Sequence, residues 1–126
     1  GAPEGDYVTV DSKGAITGGK LDMLEDGQYL QSDKKTLTSW SIDLPLLANG
    51  EYMFSGCSSL ITFDADLTSV KNVNYMFEDC SSLTTFNSNL TSLEDGRCMF
   101  YRCSSLTTFA FGAAAITAPT SILLAT

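Results

Sequence analysis

The sequence predicts an α/β solenoid: a right-handed stack of 23-residue turns, with short parallel strands on one side and short helices or turns on the other. Three observations predict it. Met53-Phe54, Met76-Phe77 and Met99-Phe100 recur at an interval of 23 residues. Cys57-Ser58-Ser59-Leu60 recurs in step as Cys80-Ser81-Ser82-Leu83 and Cys103-Ser104-Ser105-Leu106, followed by Phe63, Phe86 and Phe109. A leucine phase extends the period further, with Leu21, Leu44, Leu67 and Leu90 at one position and Leu24, Leu47, Val70, Leu93 and Ile116 at another. One period before Leu60 and Phe63 stand Leu37 and Trp40, a degenerate copy, and Ile122-Leu123 takes the Met-Phe position near the far end. The array is read as residues 30–126, with its best copies at 53–75, 76–98 and 99–121.

From the N-terminus, Tyr7-Val8-Thr9-Val10 and Gly14-Ala15-Ile16-Thr17 are β-prone runs separated by the turn-like Asp11-Ser12-Lys13, which predicts a hairpin. Residues 1–29 carry six acids and two bases. A polar hairpin ahead of an apolar array suits the cap that an open stack needs over its exposed backbone and core. The alternative is a separate interaction module.

Each repeat then has two halves. Leu83-Thr84-Thr85-Phe86-Asn87-Ser88-Asn89-Leu90 alternates polar with apolar or small residues from Phe86 onward, the pattern of a short strand with one buried face. In Asn72-Val73-Asn74-Tyr75-Met76-Phe77-Glu78-Asp79-Cys80, the spacing of Val73, Phe77 and Cys80 is that of one helix face, and Asn72 is a suitable N-cap. A strand plus a short helix in this length is the leucine-rich repeat arrangement, in which stacking at about 4.8 Å gives a parallel sheet and one shared core. The Met-Phe pairs, at fixed phase, belong to that core.

The segment Tyr-Met-Phe-x-x-Cys-Ser-Ser-Leu-Thr-Thr-Phe closely resembles the BspA-like leucine-rich repeats of bacterial cell-surface proteins, over roughly residues 30–126. The resemblance implies a secreted or surface-attached, non-enzymatic module used for adhesion to a host or cell-surface protein or glycan.

Composition excludes other classes. The chain has 126 residues, a formal net charge of −8 and no histidine. An acidic surface disfavours nucleic acid and anionic membranes, which need counterion release to a basic one. Without histidine there is no Ser–His–Asp triad, no Cys–His pair and no His-ligated metal within the chain. Paired carboxylates could act alone in glycoside hydrolysis, but these acids fall on repeat surfaces and in loops rather than around a pocket. No enzyme activity, cofactor or metal site is expected. The start at Gly1 points to a removed leader or an expression scar. No run reaches the roughly 18 apolar residues of a membrane helix, so the chain reads as soluble, without membrane insertion.

Cys57, Cys80 and Cys103 fall at one repeat position, so their side chains point the same way. Spaced at about 4.8 Å, their Cβ atoms are too far apart for a disulfide and read instead as a ladder of buried thiols. Cys98 stands where other copies have Tyr52 and Tyr75, and reads as a free, partly exposed thiol. Asn89-Leu90-Thr91 matches a glycosylation sequon, but Leu90 is a core position.

The outward strand residues are the candidate binding site. With Phe63, Ala65 and Leu67 pointing in, Thr62, Asp64 and Asp66 point out. Stacking gives a column Ser39, Thr62, Thr85, Thr108, a second of Ser41, Asp64, Asn87, Ala110, and a third of Asp43, Asp66, Asn89, Gly112. Thr62, Asp64, Asp66, Thr85, Asn87, Asn89 and Asp43 are the expected contacts. Two other readings of these acids are a merely solvated face and a Ca²⁺ site at Asp43, Asp64 and Asp66. Two rival functions remain: an assembly module or homodimer packing through the apolar C-terminal turn (Phe111, Ile116, Ile122, Leu123, Leu124), and a recognition domain of a virion protein.

Overall fold

The computed structural model describes residues 5–110, with the side chains of Phe109 and Ala110 outside the description. The apolar C-terminal turn, Gly112 and the assembly surface built on them lie outside the described residues.

The N-terminal hairpin pairs β1 (Tyr7–Val10) with β2 (Ile16–Lys20), antiparallel, from Tyr7 opposite Lys20 to Val10 opposite Ile16. The second strand starts two residues later than its β-prone run. Asp11 shapes the turn: its Oδ1 accepts hydrogen bonds from the amides of Lys13 and Ala15, and Gly14 takes a φ of 84° that a side chain would oppose. Ala15, Ile16 and Leu21 belong to the main core, so the hairpin packs on the array rather than standing apart. Gln31 ties it down. Its Nε2 donates to the Ile16 carbonyl at 2.9 Å and its Oε1 accepts from the Ile16 amide at 3.1 Å. In later turns the position of Gln31 is occupied by Phe54, Phe77 and Phe100, which have stacked rings as neighbours instead of a free strand edge.

Four short strands make the parallel sheet: β3 (Ser39–Trp40), β4 (Thr62–Asp64), β5 (Thr85–Asn87) and β6 (Thr108–Ala110). Their register is the sequence period itself, Ser39–Thr62–Thr85–Thr108 and Trp40–Phe63–Phe86–Phe109. The core runs behind them. Leu44, Leu67, Leu90, Met53, Met76, Met99, Phe54, Phe77, Phe63 and Phe86 are all at most 1% exposed. Phe54, Phe77 and Phe100 stack at 5.4 and 5.7 Å, edge-on to Phe63 and Phe86.

The helical half is a correction. The described residues contain strands and turns and no helix. Val73, Met76, Phe77 and Cys80 are buried as a helical face requires, but the backbone gets them there differently. Tyr75 and Asp79 have φ of 55° and 60°, a conformation that ends any right-handed helix, and Tyr29, Tyr52, Cys98, Asp33, Gly56 and Arg102 repeat it in phase. Alternate amides then point to different partners. Met76, Glu78 and Cys80 donate three residues back, to Val73, Tyr75 and Phe77, while Tyr75, Phe77 and Asp79 donate to Arg97, Met99 and Tyr101 of the next turn. Both sides of the stack are therefore stitched turn to turn, which an α-helix, with its donors used internally, does not allow.

The cysteine ladder is present as free thiols. Cys57 and Cys80 are buried and Cys103 half-buried, and each Sγ donates to a carbonyl of the preceding turn, Gln31, Phe54 or Phe77, at 3.0–3.1 Å. Cys98 is half-buried and free.

Candidate functional site

The strand face is built by alternation along three-residue strands. In β4 the central Phe63 is fully buried while Thr62 and Asp64 are exposed, and in β5 the central Phe86 is buried between half-buried Thr85 and exposed Asn87. Parallel pairing sets Ser39, Thr62, Thr85 and Thr108 in one row and Asp64, Asn87 and Ala110 in the next. Ser41 lies just past the end of β3, exposed.

The third row continues beyond the strands. Asp43 and Asn89 are exposed and Asp66 is half-buried. Asp43 Oδ1 accepts from the Asp66 amide at 2.9 Å, and Asp66 Oδ1 accepts from the Thr68 amide at 2.9 Å. These two carboxylates thus tie the turn after each strand as well as facing solvent. Thr62, Asp64, Asn87 and Asn89 make no side-chain hydrogen bond or ion pair among the described residues. Their donors and acceptors are available to a partner. The calcium reading finds no support: among the described residues no three Cys, Asp or Glu side chains gather closely enough to hold a metal ion.

The opposite side of the stack holds features not anticipated from the sequence. Tyr29, Tyr52 and Tyr75 stack face to face at 4.9 and 5.0 Å, with interplanar angles of 8° and 2°. Partial burial and the nearby Glu78 hold the Tyr52 phenol above its ordinary range. A hydrogen bond with Cys98, which ends the row, does the same for Tyr75. Beside them Asp26, Asn49, Asn72 and Asp95 pair as successive parallel bridges. Several amide and carboxylate side chains here are used internally. Asn49 and Asn72 accept from the amides of Glu51 and Asn74, Asn74 bonds Asp95 and the Arg97 amide, Glu51 accepts from Gln28 and Asn72, and Glu78 accepts from Ser55. The phase arithmetic that found Met-Phe finds this ladder too, because 29, 52, 75 and 26, 49, 72, 95 are steps of 23.

Among the described residues no helix is long and apolar enough to cross a membrane. A family model, the BspA type leucine-rich repeat region, matches residues 27–122 as six copies. No curated protein and no solved structure matches the chain.

Proposed function

The chain belongs to the BspA-type leucine-rich repeat family, and from that premise we propose that it is a non-catalytic recognition module of a secreted or surface-attached bacterial protein. It binds a host or cell-surface protein or glycan through the open sheet face of a short solenoid. The observation that carries this reading is the contrast between the two sides of the stack. On the turn side Asn49, Asn72, Asn74, Glu51 and Glu78 are hydrogen-bonded within the chain, whereas on the strand side Thr62, Asp64, Asn87 and Asn89 keep their hydrogen-bonding groups free. A flat row of short polar side chains on a stiff scaffold holds those groups in place without a folding cost at binding.

A panel of immobilised extracellular glycoproteins and glycans, read by surface plasmon resonance, tests it. At least one ligand is expected to bind. Asp64→Lys, which reverses an unpaired exposed charge, is expected to weaken that ligand by about tenfold or more while leaving the melting temperature unchanged. An empty panel, or a ligand indifferent to Asp64→Lys and Thr85→Arg alike, contradicts the reading.

In the same proposal, residues 1–29 cap the array of residues 30–126. The support is the pairing of Gln31 with Ile16. Gln31→Leu leaves a buried amide and a buried carbonyl without partners, at about 1–3 kcal/mol each. Denaturant unfolding that finds the variant as stable as the parent contradicts the cap.

A further inference from the structure

The hairpin turn and the first turn of the array border an open cleft of about 390 Å³ lined by Lys13, Asp33, Lys34, Lys35 and Thr36. Three of the seven basic residues of a chain with net charge −8 meet there. We infer that Lys13, Lys34 and Lys35, with Asp33 and Thr36, form a binding site for a monosaccharide-sized ligand carrying an anionic group, such as a sulfated sugar.

The repeat makes these residues conspicuous. One period after Lys34-Lys35-Thr36 stands Cys57-Ser58-Ser59, so the first turn departs from the repeated Cys-Ser-Ser to bring in two cations. Ending a ladder of buried thiols requires only a polar residue; bringing three lysines to the border of one cleft goes beyond that. The Lys34 ammonium lies over Gly14, 3.6 Å from where a side chain would begin. Neither Lys13 nor Lys34 has an ion-pair partner among the described residues. Lys35 donates to the Gly56 carbonyl at 2.7 Å and lies 3.7 Å from an exposed Asp33 carboxylate. Gly56, in phase with Asp33, Asp79 and Arg102, also makes room, since a Cβ there would collide with Asp33 Oδ1.

Asp11, the other acid nearby, adds a second carboxylate charge beside Asp33, so the three lysines exceed the two acids by one positive charge. Its two oxygens accept from the Lys13 and Ala15 amides and from Thr36 Oγ1 at 2.6 Å. Thr36 keeps an acceptor lone pair, and Asp33 offers a carboxylate, so both can take hydroxyl protons of a sugar. Lysine suits sulfate or phosphate as a point charge. The volume lies within the roughly 300–1,000 Å³ of small-molecule sites and exceeds what a bare sulfate fills.

The test is a titration of the full chain, followed by amide NMR, with glucose 6-sulfate, glucose and inorganic sulfate. Saturable shifts confined to residues 11–15 and 33–36 are expected with glucose 6-sulfate. Lys13→Gln, at an exposed turn where no contact is lost, is expected to weaken binding about tenfold. Three outcomes overturn the assignment: no saturable shifts, an unchanged affinity in Lys13→Gln, or glucose or inorganic sulfate binding as tightly as glucose 6-sulfate. The site does not depend on the strand face, and its failure leaves the proposal for that face standing.

Discussion

Phe77→Ala is expected to destabilise the chain by about 3–5 kcal/mol, measured by denaturant unfolding. Phe77 is fully buried and contacts four rings: Phe54 and Phe100 stacked at 5.4 and 5.7 Å, Phe63 and Phe86 edge-on at 5.0 and 5.5 Å. Truncation removes the shared partner of two turns and of the sheet behind them. The stack has no alternative residue to fill the space, because each neighbouring position is held by its own turn-to-turn hydrogen bonds. Total stabilities are on the order of 5–15 kcal/mol, so the loss is a large share of the whole. Phe86→Ala, which faces Phe63, Phe77 and Phe100 among the described residues, follows it closely. A change below about 1 kcal/mol at Phe77 would mean that the turns do not share one core.

The second large effect is alkaline unfolding. Burial pushes the Cys57 thiol from its ordinary 9.0 to about 11 and Cys103 to about 12, and raises Cys80, between them, further still. A thiol is neutral when protonated, so a raised folded-state value means that the folded chain holds the proton more tightly than the unfolded one. The stability linked to those protons is complete below the unfolded value near 9.0 and is lost as pH rises from there toward the folded values. Between the unfolded and folded values each thiol lowers stability by at most about 1.4 kcal/mol per pH unit, a limit of about 4 kcal/mol per unit for the three together. Denaturant unfolding at pH 8, 9 and 10 is expected to show this decline, and the Cys57→Ala, Cys80→Ala, Cys103→Ala variant is expected to flatten it. Stability unchanged from pH 8 to 10 in the parent chain would contradict the buried ladder.

The strand side was legible in the sequence because a 23-residue phase makes Phe63 and Phe86 neighbours whatever joins them. Register followed from repetition, and with it the rows Thr62–Thr85 and Asp64–Asn87. The turn side was legible only in its burial. The spacing of Val73, Phe77 and Cys80 records which side chains reach the core, and a helix is one of two backbones that deliver it. What decides between them is where alternate amides donate, and that depends on the next turn being present. A local trace did exist: Gly56 stands in phase with Asp33 and Asp79, and Gly and Asp are among the residues that tolerate positive φ. Which polar side chains are already bonded could not be read in advance. Asp43 and Asp64 look alike in sequence, yet one carboxylate holds the next turn and the other is free.

The most direct test compares two variants against one partner identified in the ligand panel. Thr85→Arg projects a long cation from the middle of the strand face, whereas Tyr29→Ala removes the exposed end of the tyrosine ladder on the other side. Recognition through the sheet predicts an affinity loss of about tenfold or more for Thr85→Arg and little change for Tyr29→Ala. The reverse result, with Thr85→Arg binding as the parent does and Tyr29→Ala losing the partner, would place recognition on the turn side and contradict the account.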